Sequence, residues 1–400
     1  MVPKGWKETT LGEILTFKNG LNFSKSSSGE NIKIVGVKDF KDLAELKDTS
    51  TLESIQVESK IRDAELLRSG DLLFVRSNGN KQLIGRCLFF PSVNERLSFS
   101  GFTIRGRVSD GKTLPVYASH LVRSELIKSQ FSKNGAGTNI SNLSQDVLSQ
   151  ATLNLPPTAE QTKIARILST WDKVIATTER QLANSQQQKQ ALMQQLLTGQ
   201  KRFAEFRDQW NHQQLGDIAT IVMGSSPRSE SYNGNGLGLP LLQGNADIDN
   251  RRSSPRIFTS QITKECNPGD ILLSVRAPVG HVALSAHHAC IGRGIAGLLA
   301  HKEHDQSFLY QWLIWFEPQW ESISQGSTFE SVNSNDIRSL KVMTPPLPEQ
   351  QKIAQVLSTA DAELTNLQAQ LAKLKLEKKA LMQQLLTGQR RVKLDADAAA

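Results

Sequence analysis

A stretch rich in histidine and cysteine is the first place where the side chains of this sequence could do chemistry. Residues 281–304 contain five histidines together with Cys290. Imidazole and thiolate groups bind zinc, but their spacing here matches no familiar zinc pattern. Gly234, Gly236 and Gly238 form a GxGxG motif, yet no strand precedes it, as a nucleotide-binding loop requires. We therefore predict neither a metal site nor a nucleotide site.

Two Pro-Pro pairs could mark an active site that modifies DNA bases. Leu-Pro-Pro-Thr at 155–158 and Thr-Pro-Pro-Leu at 344–347 share the double proline of the Asn-Pro-Pro-Tyr or Asn-Pro-Pro-Phe loop of amino-methyltransferases. Both lack the Asn or Asp that would accept a hydrogen bond from the target amino group, and both lack the aromatic ring that would stack on the base. Because a helix can begin after such a pair but cannot continue through it, we interpret both as helix starts. No catalytic residue is predicted.

A larger set of candidate binding residues lies in loops rich in Arg, Lys, Asn and Gln. These side chains read base edges in DNA or hold its phosphates. The 47 basic and 39 acidic residues give a net charge of +8, which permits nucleic-acid binding without requiring it. For any single loop residue, ordinary solvation is the alternative. The predicted DNA-binding residues are Lys25, Arg76, Asn78, Asn80, Lys81, Arg86, Arg228, Tyr232, Gln243, Asn245, Arg251, Arg252, Arg276 and Arg293.

The elements that must position these loops come in two copies. EQTKIARILST begins at residue 160 and EQQKIAQVLST at residue 349, while ALMQQLLTGQ occurs at 191–200 and again at 380–389. Both pairs are separated by 189 residues, so the segment between them is repeated without a gap. The chain therefore reads as two regions, each followed by a near-identical segment, which indicates a duplicated domain.

The two regions that precede the repeated segments are more distant relatives. LGEI at 11–14 matches LGDI at 215–218, and SGDLLFVRSNG at 69–79 matches PGDILLSVRAPVG at 268–280. Short β-like runs alternate in both with turns rich in Gly, Asn and Ser, so we predict that both are α+β. The predicted strands are Leu72–Val75, Leu88–Phe90, Ile271–Val275 and Val282–Leu284, and helices are predicted near 115–130 and 306–322.

The repeated segments have the pattern of long helices. Residues 160–198 and 349–387 contain neither Gly nor Pro, and Gly199 and Gly388 follow as C-terminal caps. Apolar side chains recur at alternating spacings of four and three, which is a heptad seam. We predict that the two helices pair within the chain as an antiparallel coiled coil; the alternative is two stalks that each bind another molecule. The seam residues are Ile164, Leu168, Trp171, Ile175, Leu182, Leu192 and Leu196 in the first copy, where Thr178, Ser185 and Lys189 are polar interruptions, and Ile353, Leu357, Leu364, Leu367, Leu371, Leu374, Leu381 and Leu385 in the second.

Length and cysteine usage bound the class of protein. Four hundred residues suffice for two or three domains. Cys87, Cys266 and Cys290 are odd in number and form no CxxC pair, so we predict buried thiols in a reducing compartment. The first residues, MVPKGWKETT, lack the apolar core of a signal peptide, and no apolar run approaches membrane-spanning length. We expect a soluble cytoplasmic protein.

The repeated block resembles the two helical repeats of type I restriction–modification specificity subunits. In both copies a Pro-Pro pair precedes EQ and KIA, and a long helix that ends in LMQQLLTG follows. MGSSPRSESYNGNGLGLPLLQGNADI at 223–248 and NGLNFSKSSSGENIKIVGVKDF at 19–40 are each similar to a type of target-recognition domain. The resemblance implies an α+β fold in which two α/β target-recognition domains are joined by two long antiparallel coiled-coil helices, with a pseudo-twofold internal repeat. The implied boundaries are 1–155 and 201–344 for recognition domains 1 and 2, 156–200 and 345–391 for the central and distal helices, and 392–400 for a disordered tail.

The resemblance also implies a function without catalysis by this chain. It implies binding to double-stranded DNA at an asymmetric bipartite site, with one half-site for each recognition domain and the helices setting the spacer. It further implies two modification subunits, which bind S-adenosylmethionine and methylate adenine N6, and two restriction subunits, which use ATP and Mg²⁺, while this chain binds no cofactor. Gln194, Gln195, Gln383 and Gln384 lie off the seam in both copies, and we predict that they contact these partners; ordinary solvation is the alternative.

Two other functions remain open at this point. A stand-alone DNA-binding or anti-restriction protein could use the same frame without a modification partner, and copurification with a methyltransferase would distinguish the two. An intrinsic nuclease or methyltransferase would need motifs that the sequence lacks, and activity of the purified chain alone would reveal it.

Overall fold

The chain divides into two units, which are Met1–Thr178 with Gln370–Ala400, and Glu179–Ala369. Each unit combines one α/β region with a part of both long helices. None of the helices in the part of the chain that the structure describes is long and apolar enough to cross a membrane. The three cysteines are buried and free, as predicted. The computed structural model describes residues 2–22, 29–40, 43–57, 61–134, 142–320 and 331–394.

Within the described residues, nine strands and four short helices build the α/β region of the first unit. They are β1 (Lys7–Thr10), α1 (Leu11–Ile14), β2 (Leu15–Asn19), β3 (Glu30–Val35), β4 (Glu53–Val57), β5 (Leu72–Val75), β6 (Cys87–Phe89), β7 (Leu97–Phe99), β8 (Thr103–Val108), α2 (Pro115–Val122), α3 (Glu125–Asn134), α4 (Gln145–Ser149) and β9 (Thr152–Leu155), and α5 (Thr158–Leu197) follows. One sheet has the order β2-β8-β5-β6 and a second has the order β4-β3-β7, in which β3 and β7 run parallel. The remaining strands, β1 and β9, pair with each other.

Close packing of aromatic rings fixes the main sheet of this unit. All four side chains of β5 are buried, which explains its uninterrupted apolar run LLFV. Leu72 of β5 lies opposite Gly106 of β8. A Cβ atom at Gly106 would come within 3.1 Å of the rings of both Phe17 and Phe74. A larger residue at this position would have to displace the rings by a few tenths of an ångström.

The second unit repeats this plan with additional short strands. Its elements are β10 (Asn211–Gln214), α6 (Leu215–Ile218), β11 (Ala219–Met223), β12 (Tyr232–Asn233), β13 (Leu239–Leu242), β14 (Ile248–Asp249), β15 (Arg252–Ser253), β16 (Ile257–Thr259), β17 (Glu265–Cys266), β18 (Ile271–Ser274), β19 (Val282–Leu284), β20 (Ala289–Ile291), β21 (Ile295–Ala300), α7 (Gln306–Phe316), α8 (Ser334–Arg338), β22 (Lys341–Thr344) and α9 (Leu347–Leu386). The order β11-β21-β18-β19 matches β2-β8-β5-β6, and the parallel pair β13 and β20 matches β3 and β7. The duplication and the fold class predicted from the sequence are confirmed.

The two predicted long helices are also confirmed, as α5 and α9, with 40 residues each. In the first unit, Ile164 near the start of α5 shares a buried core with Leu385 near the end of α9. In the second unit, Leu196 near the end of α5 shares a core with Ile353 near the start of α9. Since the start of each helix packs with the end of the other, the pair is antiparallel.

The predicted seam residues lie on the most buried stripe of each helix. The stripe is fully buried at the helix ends and half-buried between them, while the outer faces are exposed, as is typical of a two-helix pair. Ile164, Leu168, Leu196, Ile353, Leu357 and Leu385 are buried, and Trp171, Ile175, Leu182, Leu192, Leu364, Leu367, Leu371, Leu374 and Leu381 are half-buried.

A glutamate and a glutamine at the start of α5 fasten the first unit together. Glu160 is buried, and its carboxylate accepts hydrogen bonds from Trp6 Nε1 at 3.2 Å and from Arg391 Nε at 2.9 Å. The Arg391 guanidinium also lies over the Trp6 ring. Gln161 Oε1 accepts a hydrogen bond from the backbone N–H of Leu114 at 2.9 Å. Four separate segments of the chain therefore meet at one helix start.

The start of α9 makes the same contacts in the second unit. Glu349 is fully buried and accepts hydrogen bonds from Trp210 Nε1 at 3.1 Å and from Arg202 Nε at 3.0 Å. Gln350 Oε1 accepts a hydrogen bond from the backbone N–H of Asp305 at 2.9 Å. Because a buried donor that loses its acceptor costs about 1–3 kcal/mol, these contacts explain why the repeat includes Glu-Gln in both copies.

Candidate nucleic-acid interface

A cleft of about 580 Å³ in the second unit brings together five of the predicted DNA-binding residues. It lies where the chain leaves β13 and β18, beside the turn from β20 to β21 and the loop before β12. The predicted residues that line it are Tyr232, Gln243, Asn245, Arg276 and Arg293, and the others are Ser226, Pro227, Ser229, Gly244, Ser274, Ala277 and Gly294. The fold thus gathers side chains from strand β12 and from loops that are distant in the sequence.

The chemistry of this cleft is cationic and rich in amides. Arg276 and Arg293 are exposed, and none of the described lining residues carries a carboxylate. Asn245 Oδ1 is shielded from solvent and has no hydrogen-bond partner within the described part of the chain. An acceptor in that position is stabilised when a ligand supplies an N–H group. The cleft can therefore bind both phosphate oxygens and the amino groups of bases.

A buried aspartate fixes the turn that carries two of these residues. Asp247 Oδ2 accepts a hydrogen bond from the backbone N–H of Gln243 at 2.8 Å, and its Oδ1 accepts one from Arg256 Nε at 2.9 Å. On the opposite side, a Cβ atom at Gly294 would come within 2.2 Å of the Gln243 carbonyl oxygen. The turn through Asn245 is therefore held by a carboxylate on one side and by close backbone packing on the other.

The first unit has a cleft of about 560 Å³ at the same position in its fold, after β3 and β5 and beside the turn from β7 to β8. Its turn is built in the same way, since Asp39 Oδ2 accepts a hydrogen bond from the backbone N–H of Gly36 at 2.8 Å. Of the predicted DNA-binding residues, Asn78 lines this cleft. The other lining residues are Gly36, Val37, Lys38, Glu53, Ser77, Gly79, Ser100 and Phe102.

The lining of the first cleft differs in its chemistry. Lys38 Nζ forms an ion pair with Glu53 Oε2 at 2.6 Å, and Phe102 is 64% exposed. The backbone carbonyl of Phe102 accepts a hydrogen bond from Arg76 N, and in the second unit Gly294 accepts the equivalent bond. An aromatic ring therefore projects in the first unit where the second has no side chain. Such a ring can stack on a base or contact a thymine methyl group.

The structure leaves the other predicted residues of the first unit outside this cleft. Arg76 Nε donates to a neighbouring side-chain amide at 3.3 Å, and Asn80 caps a short turn by accepting a backbone hydrogen bond at 3.0 Å. Lys81 is exposed and Arg86 is half-buried, but neither lines the cleft. Lys25 lies outside the described residues.

Three predicted arginines of the second unit also lie outside its cleft. Both terminal nitrogens of the Arg251 guanidinium donate to the Glu317 carboxylate, at 2.6 and 2.8 Å, and this hydrogen bonding raises the pKa of Arg251. Arg228 and Arg252 are exposed. The structure thus ties Arg251 to an internal carboxylate and leaves the other two on the surface.

The repeated glutamines and the histidine-rich stretch complete the predicted sites. Gln194, Gln195, Gln383 and Gln384 are all exposed, and Gln194 Oε1 also accepts a hydrogen bond from Trp315 Nε1 at 3.0 Å. Across the described ranges, no group of three or more His, Cys, Asp or Glu side chains could hold a metal ion.

Comparisons with known proteins agree over nearly the whole chain. The family model described as the type I restriction modification DNA specificity domain matches residues 3–185 and again residues 207–376. A protein of Methanocaldococcus jannaschii, assigned as the MjaX type I restriction enzyme specificity subunit, is 31% identical over 407 residues, which cover 98% of this chain and 95% of that protein.

Two solved structures have a similar fold. One is a chain from a study of the complex assembly and conformational transition of the type I R-M system; its TM-score is 0.64 at 26% identity, over 98% of this chain and 100% of that one. The other is the type I restriction–modification S subunit of M. genitalium, with a TM-score of 0.61 at 14% identity, over 95% of this chain and 96% of that one.

Proposed function

This chain belongs to the family of type I restriction–modification DNA specificity subunits, and from that premise we propose that it reads an asymmetric bipartite DNA site, one half-site with each unit. It is a DNA-binding and non-catalytic subunit. One observation carries the proposal: a cleft recurs at the same position of both units, with different side chains. Two readers with the same scaffold and different linings recognise different sequences.

The lining of each cleft suggests what it recognises. In the second unit, Arg276 and Arg293 suit guanine O6 and N7 or backbone phosphates, and Gln243 and Asn245 suit adenine N6 and N7. In the first unit, the exposed Phe102 ring suits a thymine methyl group or an unstacked base. We assign the half-sites to the recognition domains 1–155 and 201–344.

Methylation mapping of cleft variants tests this assignment. Arg276→Ala with Arg293→Ala should relax or change one half-site, and Phe102→Ala should change the other. Arg207→Ala is the matched control, because it removes an exposed arginine of the same unit that lies outside the cleft and is not a predicted DNA-binding residue, and both half-sites should stay as in the wild type. If one cleft variant altered both half-sites equally, the division between two readers would be wrong.

Salt dependence of binding separates phosphate contacts from base contacts. Each phosphate contact that is lost should reduce the slope of log K against log salt by about 0.9. Loss of a base contact should instead leave the slope unchanged and lower the preference for one base. Measuring both quantities for the Arg276 and Arg293 variants assigns each guanidinium to a phosphate or to a base.

We further propose that the paired helices carry two modification subunits. The repeat supports this, because identical decapeptides present equivalent surfaces, and equivalent surfaces suit two copies of the same partner. The partners would supply S-adenosylmethionine and methylate adenine N6, and two restriction subunits would add ATP and Mg²⁺, while this chain binds none of these cofactors. Changing Gln194, Gln195, Gln383 and Gln384 together to Glu should reduce assembly without unfolding the chain. Normal assembly and methylation would favour ordinary solvated glutamines.

The spacer between the half-sites is the last part of the proposal. We place the central and distal helical segments at 156–200 and 345–391; of the tail expected at 392–400, residues 395–400 lie outside the described residues. Each of the two helices, α5 and α9, runs from one unit into the other. We propose that their length sets the number of unread base pairs.

A further inference from the structure

A pocket of about 430 Å³ lies in the first unit between α3 and the last turns of α9. Leu126, Met382 and Leu386 form its apolar walls, and Ser124 and Gln383 also line it. Leu126 and Met382 also pack against the hydrophobic core of this unit, so these walls of the pocket are held in place by the core. An apolar pocket of this kind on a helix pair needs an explanation.

The two units can be aligned residue by residue at this place. In the first unit, His120 of α2 lies beside Asp172, with 3.7 Å between Nδ1 and Oδ2. In the second, Gln311 of α7 donates from Nε2 to Asp361 Oδ2 at 2.6 Å. Asp172 and Asp361 are equivalent, because they are 189 residues apart in the repeat. Residue 120 therefore corresponds to residue 311.

One helical turn further on, the two units differ. Ser124 in the first unit corresponds to Trp315 in the second, four residues beyond the aligned pair. The Trp315 indole donates to Gln194 Oε1 at 3.0 Å, and Gln194 is the repeat equivalent of Gln383. In the second unit the Trp315 indole therefore occupies the place beside Gln194. The equivalent place beside Gln383 in the first unit is the open pocket.

The charged residues around the pocket indicate which charge its occupant carries. Lys375, Lys379 and Arg123 line it, and Glu125 is the one carboxylate among its described lining residues. Lys378 also lines it but is paired with Asp172. The excess of cations favours an occupant that carries carboxylates. An aromatic ring with an N–H or O–H group could donate a hydrogen bond to Gln383, as Trp315 does to Gln194 in the second unit. Buried Trp and Tyr side chains are also the usual anchors of protein interfaces.

We propose that this pocket receives a tryptophan or tyrosine side chain, flanked by carboxylates, from a modification subunit. The inference rests on the proposed function, since it names the contact through which one partner docks. It also has a consequence for assembly. Two identical partners would bind unequally, because Trp315 occupies the equivalent place among the described residues of the second unit.

Titration of the full chain with its modification subunit, followed by native mass spectrometry, tests the proposal. Ser124→Trp fills the pocket as in the second unit, and Ser129→Trp blocks it from an exposed position that cannot disturb the core. Each variant should weaken one of the two partner copies at least tenfold, so that a 1:1 complex replaces the 2:1 complex. Ser109→Trp is the control, an exposed serine of the same unit outside the pocket, and it should assemble normally.

Each other result has a distinct meaning. If both blocking variants are folded and assemble like the wild type, the pocket proposal is overturned and the proposed function stands. If the wild type binds no modification subunit, the proposed function fails and the pocket proposal fails with it. Self-association of the chain alone that Ser124→Trp abolishes would assign the pocket to a second copy and would also overturn the proposal.

Discussion

Replacing His120 by glutamine should remove part of the acid sensitivity of the first unit. The His120 side chain is fully buried, and its Nε2 contacts Ser169 Oγ at 3.1 Å. Burial, aided by the cations Arg123 and Lys378, lowers the pKa of His120 to about 3. The neighbouring Asp172 does not reverse this shift, because its carboxylate is already paired with Lys378.

The sign of the effect follows from comparing folded and unfolded chains. In the unfolded chain the imidazole has its ordinary pKa of 6.5, so between that value and the folded pKa only the unfolded chain binds the proton. The stability contributed by neutral His120 is therefore complete above pH 6.5 and is lost as the pH falls towards 3. At pH 5 the linkage relation gives a loss of about 2 kcal/mol, and this value barely changes for any folded pKa below about 4.

Urea unfolding between pH 8 and pH 5 measures this loss. Glutamine is the chosen substitute because Gln311 occupies the equivalent position and donates to Asp361. The free energy of unfolding of the wild type, relative to that of His120→Gln, should fall by about 2 kcal/mol across this range. All titratable groups other than His120 contribute equally to both proteins and cancel in the difference. A constant difference, or a wild type that gains stability at pH 5, would show that Asp172 holds His120 protonated and would refute the reasoning.

The remaining predictions concern the repeat, the spacer and the division of labour. Gln350→Leu should destabilise the second unit by about 1–3 kcal/mol in urea, because the half-buried backbone N–H of Asp305 loses its acceptor and the buried hydrogen bond to the Pro345 carbonyl is also lost. Gln161→Leu should do the same in the first unit, and a cost below about 0.5 kcal/mol would contradict this. Inserting four residues after Thr178 and four after Leu367 should lengthen both helices by about 6 Å. Methylation mapping should then find the spacer longer by about one to two base pairs with both half-sites unchanged; an unchanged spacer would mean that the helices do not set it. The purified chain should show neither methylation nor cleavage, and turnover by it alone would refute a purely reading role.

The bounds of helices and strands that depend on nearby residues could be predicted from the sequence to within about two residues. The helices predicted at 160–198 and 349–387 are found at Thr158–Leu197 and Leu347–Leu386. Pro-Pro pairs before them and glycines after them act within a few residues, and the heptad pattern repeats along the whole length. The strand predicted at Val282–Leu284 is also found with those bounds.

The clefts could not be predicted, because they form from contacts between distant residues. The parallel pairing of β3 with β7 brings Gly36 and Ser100 to one cleft, and no local pattern announces a parallel neighbour. Arg251 looks like any other loop arginine, yet its partner Glu317 lies 66 residues away. Phe102 was missed for the opposite reason, since an apolar residue before a strand is expected to be buried.

The first unit consists of two segments of the chain and the second of one, and this difference affects the order in which they fold during translation. The second unit is one continuous segment, Glu179–Ala369, whereas the first needs Gln370–Ala400. The core of the first unit includes both Leu168 and Leu385. At a synthesis rate of 5–20 residues per second, about 10–40 s separate these two residues on the ribosome. During that interval the apolar face of α5 has no partner from α9, so the unit that is translated first is the last to be completed.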